Sequence, residues 1–167
     1  GTFDYFTEAI VGKEDLSRGD YTSSEDDNVT IQGVSRDTGA LGYLGLAYYE
    51  ENKASVRAVP VINKEGDSAV MPSPANVKNG TYVPLSRPLF TYVRTDALKR
   101  PEMKGFVDFY IAQAPTLTSE VGYVALSPSL YQVAAQRVNA AEAGSVFGGQ
   151  GHKAGISLEA LYKAGSN

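Results

Sequence analysis

The sequence predicts an α/β protein, and three observations carry that expectation. Short apolar or β-branched runs alternate along the chain with stretches of helical periodicity. The 167 residues are 43% hydrophobic and 20% charged, proportions of a soluble globular domain long enough to bury a core. No internal repeat or low-complexity linker interrupts the alternation, and no run approaches the roughly 18 apolar residues of a membrane span.

The first element is a helix. Phe3, Phe6 and Ile10 fall at i, i+3 and i+7 on one face. Gly12 is placed to stop it in the left-handed conformation, and the Thr2 hydroxyl is placed to cap its start. Free N–H groups of the first turn, the helix dipole and that hydroxyl make an anion site, with Gly1 leaving the backbone open to close approach. Taken alone, the residues leave a bland reading open, because most helix starts of this kind bind only water.

A polar loop, Lys13 to Asn28, follows. Its Arg18-Gly19-Asp20 triplet matches an adhesion tripeptide but reads as a turn. The acidic run from Ser23 to Asn28 lacks the alternating oxygens and final Glu of a calcium loop. Asp27 or Asn28 is expected to cap a second helix, Val29 to Ser35. Ala40 to Leu44 reads as a buried strand, Gly45 to Asn52 as a short helix, and Val56 to Ile62 as a strand bent at Pro60. Pro74 to Asn79 is expected to make one helical turn before Gly80. Tyr82 to Arg94 is the longest extended candidate. Pro101 opens a helix running to Ala112, with Met103, Phe106, Val107, Tyr110 and Ile111 as its stripe. Val121 to Leu126 reads as a strand. Ser127 and Pro128 start a helix that Gly144 stops. The Gly-rich tail holds one helical piece, Ser157 to Lys163.

Composition narrows the chemistry. The chain has no Cys, which excludes disulfides, thiolate metal sites and Cys nucleophiles. A net charge of −4 argues against nucleic acid as a partner, so an anion would have to be held by local N–H groups and hydroxyls. The single His, His152, lies in the Gly-rich tail, where it is expected to be a surface residue rather than the His of a Ser/His/Asp triad. Neither a dinucleotide nor a P-loop motif is present. Tyr43, Tyr48 and Tyr49 line either a pocket or a core. Arg87 reaches either an anion or carboxylates between lobes. These readings favour binding over catalysis.

Several stretches in order carry a family resemblance: Gly1 to Ile10, Ser24 to Asn28, Gln32-Gly33-Val34, Ala40 to Tyr43, Tyr48 to Asn52, Tyr82 to Phe90, and Val121 to Val124. Together they resemble the periplasmic phosphate-binding proteins of ABC transporters, in the version found in cyanobacteria and related bacteria. The resemblance implies a type II periplasmic-binding-protein-like fold, with two α/β lobes joined by crossing strands and phosphate held dry in the cleft. It also implies that this chain is the C-terminal part, the N-terminal half being absent. Residues 1–83 would be most of the second, ligand-side lobe, 84–94 a crossing strand, and 95–167 the C-terminal part of the first lobe.

The family grips phosphate with a Ser-Gly-Thr motif at a helix start. Gly1 and Thr2 match its second and third members, and Phe3 continues the turn, so the phosphate-binding residues expected here are Gly1, Thr2 and Phe3. The family's Ser and Arg would lie upstream, and the Asp that accepts the proton of hydrogen phosphate belongs to the other half. The implied partners are inorganic phosphate and a membrane permease, with periplasmic location, no cofactor, no metal and no catalytic residue. A phosphoesterase using the same anion site, or a receptor for another oxyanion, remains the alternative.

Overall fold

The computed structural model describes residues 1–144; His152 and the expected tail helix lie outside the described residues. Within them the chain forms α1 (Thr2–Val11), α2 (Asp27–Arg36), α3 (Leu46–Glu51), α4 (Pro74–Lys78), a 3-10 turn (Ala97–Lys99), α5 (Pro101–Glu120) and α6 (Pro128–Asn139). The chain divides into two compact units, Gly1–Ser86 and one that begins at Arg87.

In the first unit, α1 ends as expected at Gly12, whose φ of 83° is left-handed and whose N–H donates to the Glu8 carbonyl at 3.0 Å. The burial differs from the expected stripe. Tyr5 and Thr7 are the deeply buried residues of α1, at 6% and 3% exposure, whereas Ile10 is half exposed. The helix is instead gripped on more than one side, because Tyr5 points away from the Phe3 and Phe6 face. In α2 the cap is Asp26 rather than Asp27 or Asn28. Its carboxylate accepts from the Asn28 N–H at 2.9 Å, while its own N–H donates to the Ser24 hydroxyl. The acidic run thus serves to start a helix. Segment 40–44 crosses α2 so closely that a Cβ on Gly42 would lie 2.9 Å from Val34 Cγ2 and 3.1 Å from Thr30 Cγ2. Glycine at 42 is what permits that approach.

The second unit is built on α5 and α6. Sequence reading ends α5 at Ala112, but the helix continues through Pro115 to Glu120. Proline withholds one N–H and crowds the carbonyl four residues before it; the neighbouring Ala112, Ala114 and Leu117 favour helix and carry the chain across. Val121, Gly122 and Tyr123 then close the helix rather than starting a strand. The Gly122 N–H donates to Ser119 and the Tyr123 N–H to Thr118, with Gly122 at φ 78°. The same pair of bonds ends α6, from Ala141 to Val138 and from Glu142 to Arg137, with Ala141 at φ 48°. This is why α6 stops before Gly144.

The other expected strands, at Ala40 to Leu44, Val56 to Ile62 and Tyr82 to Arg94, form no strand among the described residues. One antiparallel bridge pairs Val61 with Val70 through two 2.9 Å hydrogen bonds. A β-prone run needs a neighbouring strand to become one, and its propensity measures fit to a pleated surface rather than an intrinsic preference.

Candidate functional site

The expected phosphate-binding residues come together at the start of α1. Gly1 is the N-cap, and its carbonyl accepts from the Tyr5 N–H at 3.2 Å. Thr2 is therefore the first helical residue and not the cap, which corrects the sequence reading. The capping carboxylate is Asp4, which accepts from the Gly1 nitrogen. Gly1 and Thr2 are exposed and Phe3 is half-buried. First-turn N–H groups have no acceptor within their own helix. A Cβ built on Gly1 would meet only Asp4 Oδ2, at 3.8 Å, so the backbone there is open to a ligand.

Two anchors and two ring pairs hold this turn in place. The Tyr5 hydroxyl lies 2.6 Å from the Pro84 carbonyl and 3.0 Å from the Ser86 carbonyl, sharing its one proton between them. The Thr7 hydroxyl stands 3.0 Å from the Phe3 and Asp4 carbonyls and accepts from the Asp15 N–H at 3.0 Å. It fastens the first turn to the loop that follows α1. Phe3 stacks on Tyr21 with centroids 5.9 Å apart, and Phe6 on Tyr43 at 4.0 Å with 6° between the planes. Burial, and secondarily the neighbouring Tyr21, raise the Tyr43 hydroxyl above its ordinary value.

The tyrosine cluster expected near position 43 does not converge on a pocket. Tyr43 packs on Phe6, whereas the Tyr49 ring has Lys53 Nζ 5.7 Å from its centroid. Arg18 and Asp20 bind each other, Arg18 Nε donating to Asp20 Oδ1 at 2.8 Å and Nη2 to Oδ2 at 2.5 Å. That pairing holds the exposed Asp20 carboxyl below its ordinary value. Among the described residues, no group of three or more His, Asp or Glu is placed to hold a metal ion.

Three residues that shape the turn were not singled out from sequence: Asp4, Tyr5 and Thr7. A signal existed for Asp4, since an acidic residue three positions after a cap is the capping-box pattern. Tyr5 and Thr7 act through partners that only the folded chain brings near.

No protein-family model matches the chain. It is 50% identical over 164 residues to the protein SphX of Synechococcus elongatus, covering 98% of this chain and 48% of that protein. It is 33% identical over 133 residues to the phosphate-binding protein PstS of Staphylococcus haemolyticus, covering 79% of this chain and 40% of that one. The solved structure of a possible phosphate binding protein from Planctomyces limnophilus superimposes with a TM-score of 0.66 at 39% identity, over 86% of this chain and 51% of the other. The chain is therefore a homologue of phosphate-binding proteins of the PstS kind and carries part of their α/β binding-protein fold. More particularly, it is SphX-like: the two cyanobacterial SphX proteins match at 50% and 48% identity. The chain spans about half the length of these relatives.

Proposed function

We propose that this chain supplies one side of an inorganic-phosphate site in a periplasmic receptor that hands phosphate to an ABC permease. The observation that carries the reading is the placement of Gly1, Thr2 and Phe3 in the open first turn of α1, in a chain 50% identical to SphX. The Thr2 and Phe3 N–H groups and the Thr2 hydroxyl are the donors, aided by the helix dipole. Asp4 places a negative charge at the same turn, so a phosphate held there is repelled by it and needs further donors. In the receptor those donors come from the first lobe, across a cleft. On this reading residues 1–83 belong to the ligand-side lobe, 84–94 cross between lobes, and 95–167 complete the first lobe. The activity is binding without turnover.

Calorimetry tests the proposal on a chimera of Synechococcus SphX whose matched half is replaced by this chain. Phosphate should bind, and Thr2→Val should weaken it about tenfold to a hundredfold, the effect of losing one hydrogen bond to a charged group. The 167-residue chain alone should show no submicromolar phosphate binding. Sulfate binding in place of phosphate, or release of a chromogenic group from a phosphate ester, would overturn the reading.

A further inference from the structure

We propose that Asn79-Gly80, at the end of α4, is a site of spontaneous backbone modification that the fold holds shut and local opening releases. It is the chain's one Asn-Gly pair, and Asn79, Gly80 and Thr81 are all exposed to water. Glycine has no side chain to shield its own amide nitrogen. That nitrogen, giving up its proton, can attack Asn79 Cγ. The Cγ–Nδ2 bond then breaks, ammonia leaves with a proton, and a five-membered succinimide remains. Water opens the ring at either carbonyl, giving aspartate or isoaspartate. The sum is amide plus water going to acid plus ammonia, and it needs neither enzyme nor cofactor.

Three features of the folded chain oppose this reaction. Asn79 closes α4 with φ −84° and ψ −1°, its N–H donating to the Ala75 carbonyl at 3.0 Å. A ψ near zero eclipses the Gly80 nitrogen with the Asn79 nitrogen and so turns it away from Asn79 Cβ. Ring closure needs the Gly80 nitrogen and Cβ eclipsed instead. Next, the Gly80 N–H is already donated, to the Val77 carbonyl at 3.2 Å, and Gly80 takes the left-handed φ of 75° that ends helices. Last, the side chain is pinned. Asn79 Oδ1 accepts from the Thr81 N–H at 3.0 Å and from the Thr81 hydroxyl at 2.7 Å, an Asx turn with a second donor. The rotation that carries the nitrogen to Cγ breaks the Gly80 bond and disturbs the Asx turn. The gate is therefore the end of α4, and a helix of five residues opens at low cost. The chain runs on from this turn to Pro84 and Ser86, whose carbonyls hold the Tyr5 hydroxyl of α1. Isoaspartate adds a carbon to the main chain, and a negative charge, shortly before that anchor.

Peptide mapping of the SphX chimera after incubation at mildly alkaline pH tests the proposal. The readouts are the mass gained when an amide becomes an acid, and isoaspartate, both at Asn79. The folded chimera should convert Asn79 about tenfold or more slowly than the chimera in urea, because the reaction waits on local opening. Ser73→Ala removes the hydroxyl that accepts from the Asn76 N–H at the far end of α4, away from the reacting atoms. It should raise the folded rate about fivefold, the effect of a lost helix cap, and leave the rate in urea unchanged. Equal rates in the folded chimera and in urea would overturn the inference. So would a folded rate that Ser73→Ala does not move. Neither rate refers to a ligand, so the inference does not rest on phosphate being bound.

Discussion

Helices α1 and α5 both carry more apolar surface than one helix face can bury, and they meet that demand in opposite ways. α1 is enclosed from several directions within its own unit: Phe3 and Phe6 lie against tyrosine rings, and Tyr5 and Thr7 are tied by hydroxyls to backbone groups near 84–86 and at 15. α5, twice as long, buries Val107 and leaves a whole flank of aromatic and aliphatic side chains in water. The first turn of α1 is fixed locally, as the phosphate site proposed above would require, whereas α5 keeps one flank exposed.

Substitutions can break this contrast. The largest effect should come from Thr7→Val, which removes a buried hydroxyl and leaves the Asp15 N–H without its acceptor, at a loss of about 2 kcal/mol in urea unfolding. Tyr5→Phe should follow with a loss of about 1 kcal/mol, since the hydroxyl serves two carbonyls with one proton. Phe109→Ser, on the open flank of α5, should change the stability of the 167-residue chain by no more than about 0.5 kcal/mol. If Phe109→Ser were as damaging as Thr7→Val, α5 would already be part of a closed core and the contrast would be wrong.

The parts legible in the sequence were those decided within a few residues. Phe3, Phe6 and Gly12 mark α1 and its end; Pro74 marks the start of α4, and Ser127 and Pro128 mark the start of α6. The helix start at Gly1 and Thr2 could be read as well, although Asp4 and not Thr2 turned out to cap it. What sequence reading missed depends on longer range or on uncommon backbone. Ala141 takes a left-handed conformation that its side chain disfavours, so nothing in its identity announced the end of α6. The same holds for Pro115 inside α5. The β-prone runs were visible as such, but whether each becomes a strand depends on a neighbour far away in sequence. Only Val61 and Val70 find each other among the described residues.

The stack of Phe6 on Tyr43 also has a practical consequence. The chain contains no Trp, so its ultraviolet emission comes from tyrosine alone and is silent at the longer wavelengths where indole emits. Gly42 fixes the backbone next to Tyr43 against α2, and the Phe6 ring lies 4.0 Å away. An indole introduced by Tyr43→Trp would sit on the ring that backs the opening turn of α1, against a dark background. The fold thus contains a ready position for an optical reporter of events at that turn, with no dye attached.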